Sequence, residues 1–155
     1  MVIGAIFAGG IGSRMGSADM PKQYLQLGSK PIIVHTIEKF VVNPGIDRII
    51  VLCPKAWIAH TKDLVKKYLG EAIAEKINVV EGGSTRNGTL ENALKFINEN
   101  FAIDDDSVIV THDAVRPFVT HRIIDESIVA AKKHGACDPV IPATDTIARS
   151  EDGEN

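Results

Sequence analysis

A glycine-rich stretch near the start of the chain carries the residues best suited to binding an anion. It reads FAGGIGSRMG and is followed a few positions later by MPKQ. Gly9, Gly10 and Gly12 let backbone N–H groups approach an anion without obstruction by Cβ atoms. Arg14 adds a rigid guanidinium and Lys22 a mobile positive charge. The pattern indicates phosphate binding, although a tight strand-to-helix turn with solvated cations would also explain it.

This stretch matches neither standard cofactor loop. The dinucleotide fingerprint G-x-G-x-x-G requires a glycine where Met15 stands, and no lysine follows the glycines directly, as G-x-x-x-x-G-K-[ST] requires. An NAD-binding domain is further disfavoured because no acidic residue is suitably placed after the second predicted strand. Two cations near a segment that cannot continue a helix past Pro21 favour a triphosphate as the ligand.

A second glycine element, GGSTRNGT, follows the third predicted strand. Gly82 and Gly83 allow close approach of the backbone to a ligand. Ser84 and Thr89 could form hydrogen bonds with a polar ring edge. The alternative interpretation is a simple strand-to-helix turn with Asn87 as the N-cap.

The stretch THDAVRP follows the fourth predicted strand and places Asp113 at its end. A carboxylate near a triphosphate is explained by a Mg²⁺ ion, whereas a surface aspartate that caps a turn is the alternative. Arg116 is restrained by Pro117 and is expected to face the same cleft. We interpret His112 as a histidine that forms a hydrogen bond with the backbone.

The elements that must position these residues alternate between strand and helix periodicity. Unbroken apolar strands that alternate with helices are typical of a parallel sheet covered on both faces. Ligand-binding loops in such sheets follow the carboxyl ends of the strands. The predicted strands are Val2–Ala8, Arg48–Cys53, Ile77–Val80, Val108–Thr111 and a fifth at Cys137–Ile141. Helices are predicted from Pro31, over residues 57–69 with Gly70 beyond the end, over about 87–100, and from an N-cap at Thr120 to a stop at Gly135.

Composition predicts one domain over residues 1–155 of an ordinary globular type. A net charge of −3 argues against a nucleic-acid partner held by bulk electrostatics. No apolar run approaches the roughly 20 residues of a membrane helix, so we expect no membrane partner and a cytoplasmic location. Cys53 and Cys137 show no metal-ligand spacing, and we interpret both as reduced core residues.

Four stretches together resemble the cytidylyltransferases that activate sugar or polyol phosphates with CTP. They are FAGGIGSRMG with MPKQYLQLGSKPIIVHTIEKF, EGGSTRNGTLENAL, VTHDAVRPFVT and ATDTI, in the family's order from residue 2 to about residue 147. The resemblance implies a Rossmann-like three-layer α/β/α fold of the nucleotide-diphospho-sugar transferase type, with a mainly parallel sheet.

The resemblance also implies roles for the nucleotide-binding residues. Gly83, Ser84 and Thr89 are expected to recognise cytosine, together with the backbone of Ala8 and Gly9. The N–H groups of the first glycine stretch, with Arg14, are expected to hold the β- and γ-phosphates. Lys22 is expected to stabilise charge on the α-phosphate.

On the acceptor side, the resemblance implies that Arg116 contacts the acceptor phosphate. Thr146, in ATDTI, is expected to contact the acceptor phosphate or hydroxyls, and Asp145 to order that loop. Asp113 is expected to contact the metal or the ribose. Arg86 is interpreted as a loop-ordering arginine outside the core of the site.

The reaction implied is transfer of CMP from CTP to a polyol phosphate, with release of pyrophosphate. Two branches of the family fit: ribitol-5-phosphate and 2-C-methyl-D-erythritol 4-phosphate cytidylyltransferases. The methylerythritol branch more usually has Ser at the position of Thr89 and Ala at that of Val115, so the pattern favours D-ribitol 5-phosphate.

Members of this family continue well past the ATDTI stretch, through a dimerisation arm and a late strand–helix region. We therefore expect that these 155 residues are a C-terminally truncated form of a longer homodimeric protein. This expectation leaves a second class of function open, namely a module that binds CTP without catalysing a reaction.

Overall fold

The computed structural model describes residues 1–10 and 20–144, which form an α/β fold. In chain order the strands are β1 (Val2–Phe7), β2 (Gln26–Leu27), β3 (Lys30–Pro31), β4 (Arg48–Cys53), β5 (Ile77–Glu81) and β6 (Val108–Asp113). The helices are α1 (Ile32–Val41), α2 (Ile58–Leu69), α3 (Glu71–Ala74), α4 (Arg86–Asn100) and α5 (His121–His134). Short 3-10 turns span Lys22–Tyr24 and Lys55–Trp57.

The main sheet has four strands in the order β5-β4-β1-β6, and all of its pairings are parallel. The chain first moves outward from β1 through β4 to β5 and then crosses back to β6 on the other side of β1. Open sheets of this type bind ligands where the strand order reverses, beyond the carboxyl ends of the strands. The predicted mainly parallel α/β architecture is confirmed.

Helices cover both faces of this sheet, as the unbroken apolar strands predict. On one face, Val51 of β4 packs with Val34 of α1, Leu64 of α2 and Ile124 of α5 in one buried cluster. On the other face, Ile3 and Ile50 pack with Ala93 and Ile97 of α4. Side chains alternate across a strand, so each strand supplies both layers of the core.

A glycine in the central strand lets α1 approach the sheet closely. A Cβ atom on Gly4 would lie 2.6 Å from Cδ1 of Phe40, and real Cβ atoms do not come so close to other heavy atoms. Phe40 is 1% exposed, so its ring occupies the space that a side chain at position 4 would need. This contact fixes the depth at which α1 sits on β1.

The helix ends follow local capping chemistry, with one correction. Thr120 caps α5, because its Oγ1 accepts from the N–H of Ile123 at 3.3 Å, and Gly135 ends that helix with φ at +85°. The N-cap of α4 is Thr85 and not Asn87, since Oγ1 of Thr85 accepts from the N–H of Gly88 at 3.0 Å. Thr85 has the extended backbone of an N-cap, whereas Asn87 already lies inside the first turn.

The predicted fifth strand at Cys137–Ile141 is wrong for the described part of the chain. These residues form no strand, and Val140 and Ile141 are 81% and 87% exposed. Apolar residues form a strand only when a neighbouring strand accepts their backbone hydrogen bonds. Pro139 and Pro142 each remove one backbone donor from this segment, which further weakens it as a strand.

The two cysteines are free, but only one belongs to the core. Cys53 is buried, whereas Cys137 is exposed and its thiol donates to the carbonyl of Ser127 at 3.2 Å. The predicted core position of Cys137 is therefore wrong, because the segment that carries it lies at the surface. Over residues 1–10 and 20–144, no helix combines the length and apolarity that a membrane span requires.

Candidate active site

A cleft of about 300 Å³ lies beyond the carboxyl ends of β1, β5 and β6. This is the place where the strand order reverses, and it brings together loops that are far apart in sequence. The lining residues are Phe7, Ala8, Gly9, Gly10, Lys22, Gln23, Gly83, Ser84, Thr85, Arg86, Thr89, Asp113, Ala114 and Val115.

The first wall of the cleft is the chain that leaves β1. The N–H of Ala8 donates to the carbonyl of Leu52 on β4 at 2.7 Å, so the chain keeps its sheet position one residue beyond the end of β1. Gly9 and Gly10 then turn away and line the cleft. Because neither glycine has a Cβ atom, a ligand can come close to the backbone here.

Lys22 opens a 3-10 turn beside this wall. Tyr24, the last residue of this turn, is 2% exposed and stacks on Trp57 with ring centroids 4.5 Å apart. The Tyr24 hydroxyl also lies 2.8 Å from Oγ1 of Thr61. Trp57 is therefore a packing residue, and its ring helps to hold the turn that carries Lys22.

The second wall is the loop between β5 and α4, and its shape depends on Thr89. Oγ1 of Thr89 accepts from the N–H of Gly83 at 3.0 Å and lies 2.9 Å from the carbonyl of Thr85. A Cβ atom on Gly83 would lie 2.3 Å from the carbonyl carbon of Gly88, so only glycine fits there. The Thr89 side chain, 3% exposed, thus closes the loop on itself. Its expected contact with a base stays a prediction.

Asp113 is held between two arginines at the third wall. Nη1 of Arg86 lies 2.5 Å from Oδ1 of Asp113, and Nε of Arg116 lies 3.1 Å from Oδ2. Partial burial raises the pKa of the Asp113 carboxyl. The hydrogen bonds and charges of the two guanidinium groups outweigh this effect and hold that pKa below its usual range. The carboxylate is therefore fully ionised at neutral pH.

Strand register and packing explain why these groups meet. Asp113, the last residue of β6, is paired with Phe7, the last residue of β1. The guanidinium of Arg86 lies over the Phe7 ring, 5.5 Å from its centroid, and so reaches across to Asp113. Nε2 of His112 lies 3.0 Å from the carbonyl oxygen of Arg116, which restrains the backbone of the following loop.

The sequence-predicted residues fall into three groups. Those that line the cleft are Ala8, Gly9, Gly10, Lys22, Gly83, Ser84, Thr89 and Asp113. Arg116 stands at its edge, where its side chain is 72% exposed and contacts Asp113. Gly12, Arg14, Asp145 and Thr146 lie outside the described residues. The structure thus brings the described nucleotide-side residues into one cleft, while their individual roles stay predictions.

Comparison with known proteins shows the family of the chain. Residues 2–154 match the family described as 2-C-methyl-D-erythritol 4-phosphate cytidylyltransferase (IspD). The match covers nearly all of the chain. The chain belongs to this cytidylyltransferase family.

Individual cytidylyltransferases resemble the chain to different degrees. A ribitol-5-phosphate cytidylyltransferase from Lactiplantibacillus plantarum is 50% identical over 149 residues, which are 96% of this chain and 63% of that protein. A solved 4-diphosphocytidyl-2C-methyl-D-erythritol synthase from Anaerococcus prevotii is 29% identical, with a TM-score of 0.63 over 85% of this chain and 51% of that one. Another solved synthase of the same description, 24% identical, has a TM-score of 0.73 over 99% of this chain and 65% of its own. The chain thus spans between about half and two thirds of the length of these relatives.

Cytidylyltransferases typically use a divalent metal ion, and the cleft offers limited protein ligation for one. Asp113 supplies the carboxylate among the described lining residues, and the described chain contains no group of three or more His, Cys, Asp or Glu side chains that could hold a metal. Mg²⁺ is commonly bound by one or two carboxylates together with substrate phosphates. A single ionised carboxylate at the cleft fits that mode, and each of its oxygens also contacts an arginine in this structure.

Sequence reasoning missed two residues of this cytidylyltransferase cleft. Gln23 follows Lys22 directly in the MPKQ stretch. Its buried side chain contacts the carbonyls of Ala8 and Gly10 in the first wall. We call this first wall and the Gly83-containing second wall the two glycine walls. Arg86, interpreted as a loop-ordering arginine outside the core of the site, lines the cleft, and its guanidinium reaches Asp113 at the end of β6. Gln23 is adjacent to Lys22 and Arg86 lies between Ser84 and Thr89, so their positions in the sequence could have pointed to the cleft. Sequence spacing could not identify the groups that they contact across it.

Proposed function

We propose that this chain is the nucleotide-binding part of an enzyme that transfers CMP from CTP to a polyol phosphate and releases pyrophosphate. The observation that carries the proposal is the juxtaposition of two glycine walls, Lys22 and Asp113 around one cleft. Backbone donors and one mobile cation suit a triphosphate, and the two glycine walls suit a flat polar base. Ala8, Gly9, Gly83, Ser84 and Thr89 would contact the cytosine.

The proposed reaction is an in-line attack by an acceptor phosphate oxygen on the α-phosphorus of CTP. The new O–P bond forms as the bond to pyrophosphate breaks. No general base is required, because the attacking phosphate oxygen is already deprotonated at neutral pH. Catalysis then consists of positioning and charge stabilisation, as in phosphoryl transfer generally.

Charge repulsion is the main obstacle to this reaction. Two unit charges 4 Å apart repel by about 4 kcal/mol at an effective dielectric constant near 20. Lys22 would offset this repulsion at the α-phosphate, and Arg14 with the Gly10 and Gly12 backbone would do so at the β- and γ-phosphates. Mg²⁺, held by Asp113 and phosphate oxygens, would neutralise further phosphate charge when bound.

For the acceptor we propose D-ribitol 5-phosphate, with Arg116 and Thr146 as its ligands. The 50% identity to a ribitol-5-phosphate cytidylyltransferase supports this choice over 2-C-methyl-D-erythritol 4-phosphate. The test is CTP turnover by the full-length gene product with each acceptor. Faster turnover with D-ribitol 5-phosphate is expected, and faster turnover with the methylerythritol phosphate would reverse the assignment.

A second candidate function is CTP binding without turnover by these 155 residues alone. It is favoured by the position of Arg116, the proposed acceptor ligand, which is exposed at the cleft edge and does not line it. Parallel assays of this chain and of the full-length product separate the candidates. The homodimer and the cytoplasmic location expected from the sequence remain predictions, and sedimentation of the full-length product tests the first.

A further inference from the structure

Gln23 makes the most direct link between Lys22 and the first glycine wall. Its side chain is buried, with 1% of the residue exposed. Nε2 donates to the carbonyl of Ala8 at 2.6 Å and to the carbonyl of Gly10 at 3.1 Å. The two hydrogens of the Gln23 side-chain amide are thus donated to two backbone carbonyls of the same wall, those of Ala8 and Gly10.

These two hydrogen bonds fix the direction of the peptide groups in that wall. The peptide bond is planar and trans, so the N–H of Gly9 points opposite to the carbonyl of Ala8. When Gln23 holds that carbonyl, it also sets where the Gly9 N–H points. Consecutive glycines have little conformational preference of their own and lose much entropy on ordering. An external clamp is therefore needed if the wall is to keep one shape before a ligand arrives.

The other end of the turn is anchored independently. Tyr24 is buried against Trp57, and its hydroxyl forms a hydrogen bond with Thr61 on α2. Lys22, Gln23 and Tyr24 lie in one 3-10 turn. A rigid base at Tyr24 and a clamp at Gln23 together place the Lys22 backbone at a set distance from Gly9 and Gly10.

We propose that Gln23 is a positioning residue that orders the Gly9–Gly10 backbone and its spacing from Lys22 before CTP binds. It acts through Lys22 and the glycine wall and does not itself contact the reacting atoms. The part of the inference that concerns CTP rests on the proposed function. The part that concerns the order of the wall does not.

The first experiment uses the ligand-free chain and the variants Gln23→Leu and Tyr24→Phe. Leucine keeps a similar volume but cannot donate, whereas Tyr24→Phe removes a buried hydrogen bond of the same turn that does not reach the glycine wall. We expect Gln23→Leu to shift or broaden the amide NMR signals of Gly9, Gly10 and Lys22. The signals of β4 and α5 should remain in place, which also verifies folding. Tyr24→Phe keeps the ring stacked on Trp57 and keeps both Gln23 hydrogen bonds, so it should change the Gly9 and Gly10 signals much less than Gln23→Leu does.

The second experiment measures CTP affinity and turnover in the full-length product with the same variants. Loss of the clamp should weaken CTP binding about tenfold and lower kcat further, because misplaced phosphates react more slowly. Gln23→Glu adds a pH-dependent readout, measured over the pH range in which circular dichroism shows this variant to be folded. Its carboxylate would repel the two carbonyl groups, whereas its protonated form can donate again. Its CTP affinity relative to wild type should therefore rise as the pH is lowered.

The outcomes separate the two proposals. If Gln23→Leu leaves the Gly9, Gly10 and Lys22 amide signals unchanged in a folded protein, the positioning role is wrong whatever happens with CTP. If those signals change but wild-type full-length protein binds no CTP, the proposed function fails and the ordering of the wall stands. If the ratio of the CTP affinities of Gln23→Glu and wild type does not change with pH, the proposed positioning role of Gln23 is also wrong.

Discussion

Lys22 is the described residue on which the proposed chemistry depends most. It lines the cleft from a 3-10 turn whose next two residues are buried. We expect Lys22→Ala to lower kcat by about 10²–10³-fold, because a donor aimed at developing charge contributes more to the transition state than to binding. CTP affinity should fall much less. Steady-state kinetics and calorimetry on the full-length product measure the two effects separately.

Lys55 provides a matched control for this variant. It is an exposed lysine that also opens a 3-10 turn, after β4, and it does not line the cleft. Lys55→Ala should leave both kcat and CTP affinity unchanged. A near-normal kcat for Lys22→Ala would remove that residue from the proposed role.

Arg86 is expected to control the ionisation of Asp113. Its guanidinium is the strongest of the influences that lower the pKa of this carboxyl, and partial burial acts in the opposite direction. Arg86→Gln should therefore raise the Asp113 pKa, which a ¹³C NMR titration of the carboxyl group measures directly. Arg122→Gln is the control, because Arg122 pairs with the exposed Glu126 on α5 and should leave Asp113 unaffected.

The same pairing predicts the direction of a pH effect on stability. The pKa of Asp113 is lower in the folded state than in the unfolded chain, where a value of about 3.9 is usual. The pairing therefore stabilises the fold above that pH, and its contribution is lost as the pH falls through the folded-state pKa. The difference in unfolding free energy between wild type and Arg86→Gln should therefore become smaller as the pH is lowered from neutral through the folded-state pKa of Asp113. A difference that is constant from neutral pH to the acid limit would contradict this assignment.

At the scale of elements, the β5–α4 loop depends on one glycine and not on its neighbour. A Cβ atom on Gly83 would overlap the backbone of Gly88, at 2.3 Å. The backbone cannot move aside as a flexible side chain could, so Gly83→Ala should destabilise the protein by about 1–3 kcal/mol. Urea unfolding measures the change, and CTP binding should weaken in parallel because the loop lines the cleft.

Gly82→Ala is the internal control for that loop. The nearest atom to a Cβ there is Oγ1 of Thr89 at 3.4 Å, which is ordinary contact. Its urea midpoint should stay close to that of wild type. Equal destabilisation by the two variants would show that loop entropy, and not the Gly83–Gly88 contact, decides the effect.

Element prediction succeeded where local patterns dominate. Arg48–Cys53 is a strand with the predicted bounds, and Thr120 and Gly135 delimit α5 as their types suggest. It failed at Cys137–Ile141, because strand formation requires a partner at the right distance. The turn interpretation named Asn87 as the N-cap, whereas the cap is Thr85. Both residue types accept backbone hydrogen bonds, and only the path of the chain distinguishes them.

At the scale of the whole molecule, the cleft predicts ligand selectivity. Its volume is about 300 Å³, and we propose that its two glycine walls hold the base while Lys22 faces the phosphates. We expect CTP to bind the chain at least about tenfold more tightly than ATP, because a purine needs more room and presents different donors and acceptors. NAD should bind more weakly still. Calorimetry with the three ligands tests this, and NAD binding as tight as CTP binding would contradict the family-based proposal.

The sequence by itself determined the α/β class, the family and most of the residues around the cleft. Hydrophobic periodicity and glycine placement are local properties, and both can be read without knowing which segments meet. Only the tertiary structure decided the partners: Arg86 with Asp113, and Gln23 with the carbonyls of Ala8 and Gly10. Such contacts depend on strand order, register and side-chain reach. These follow from how the whole sheet packs, and spacing along the chain does not specify them.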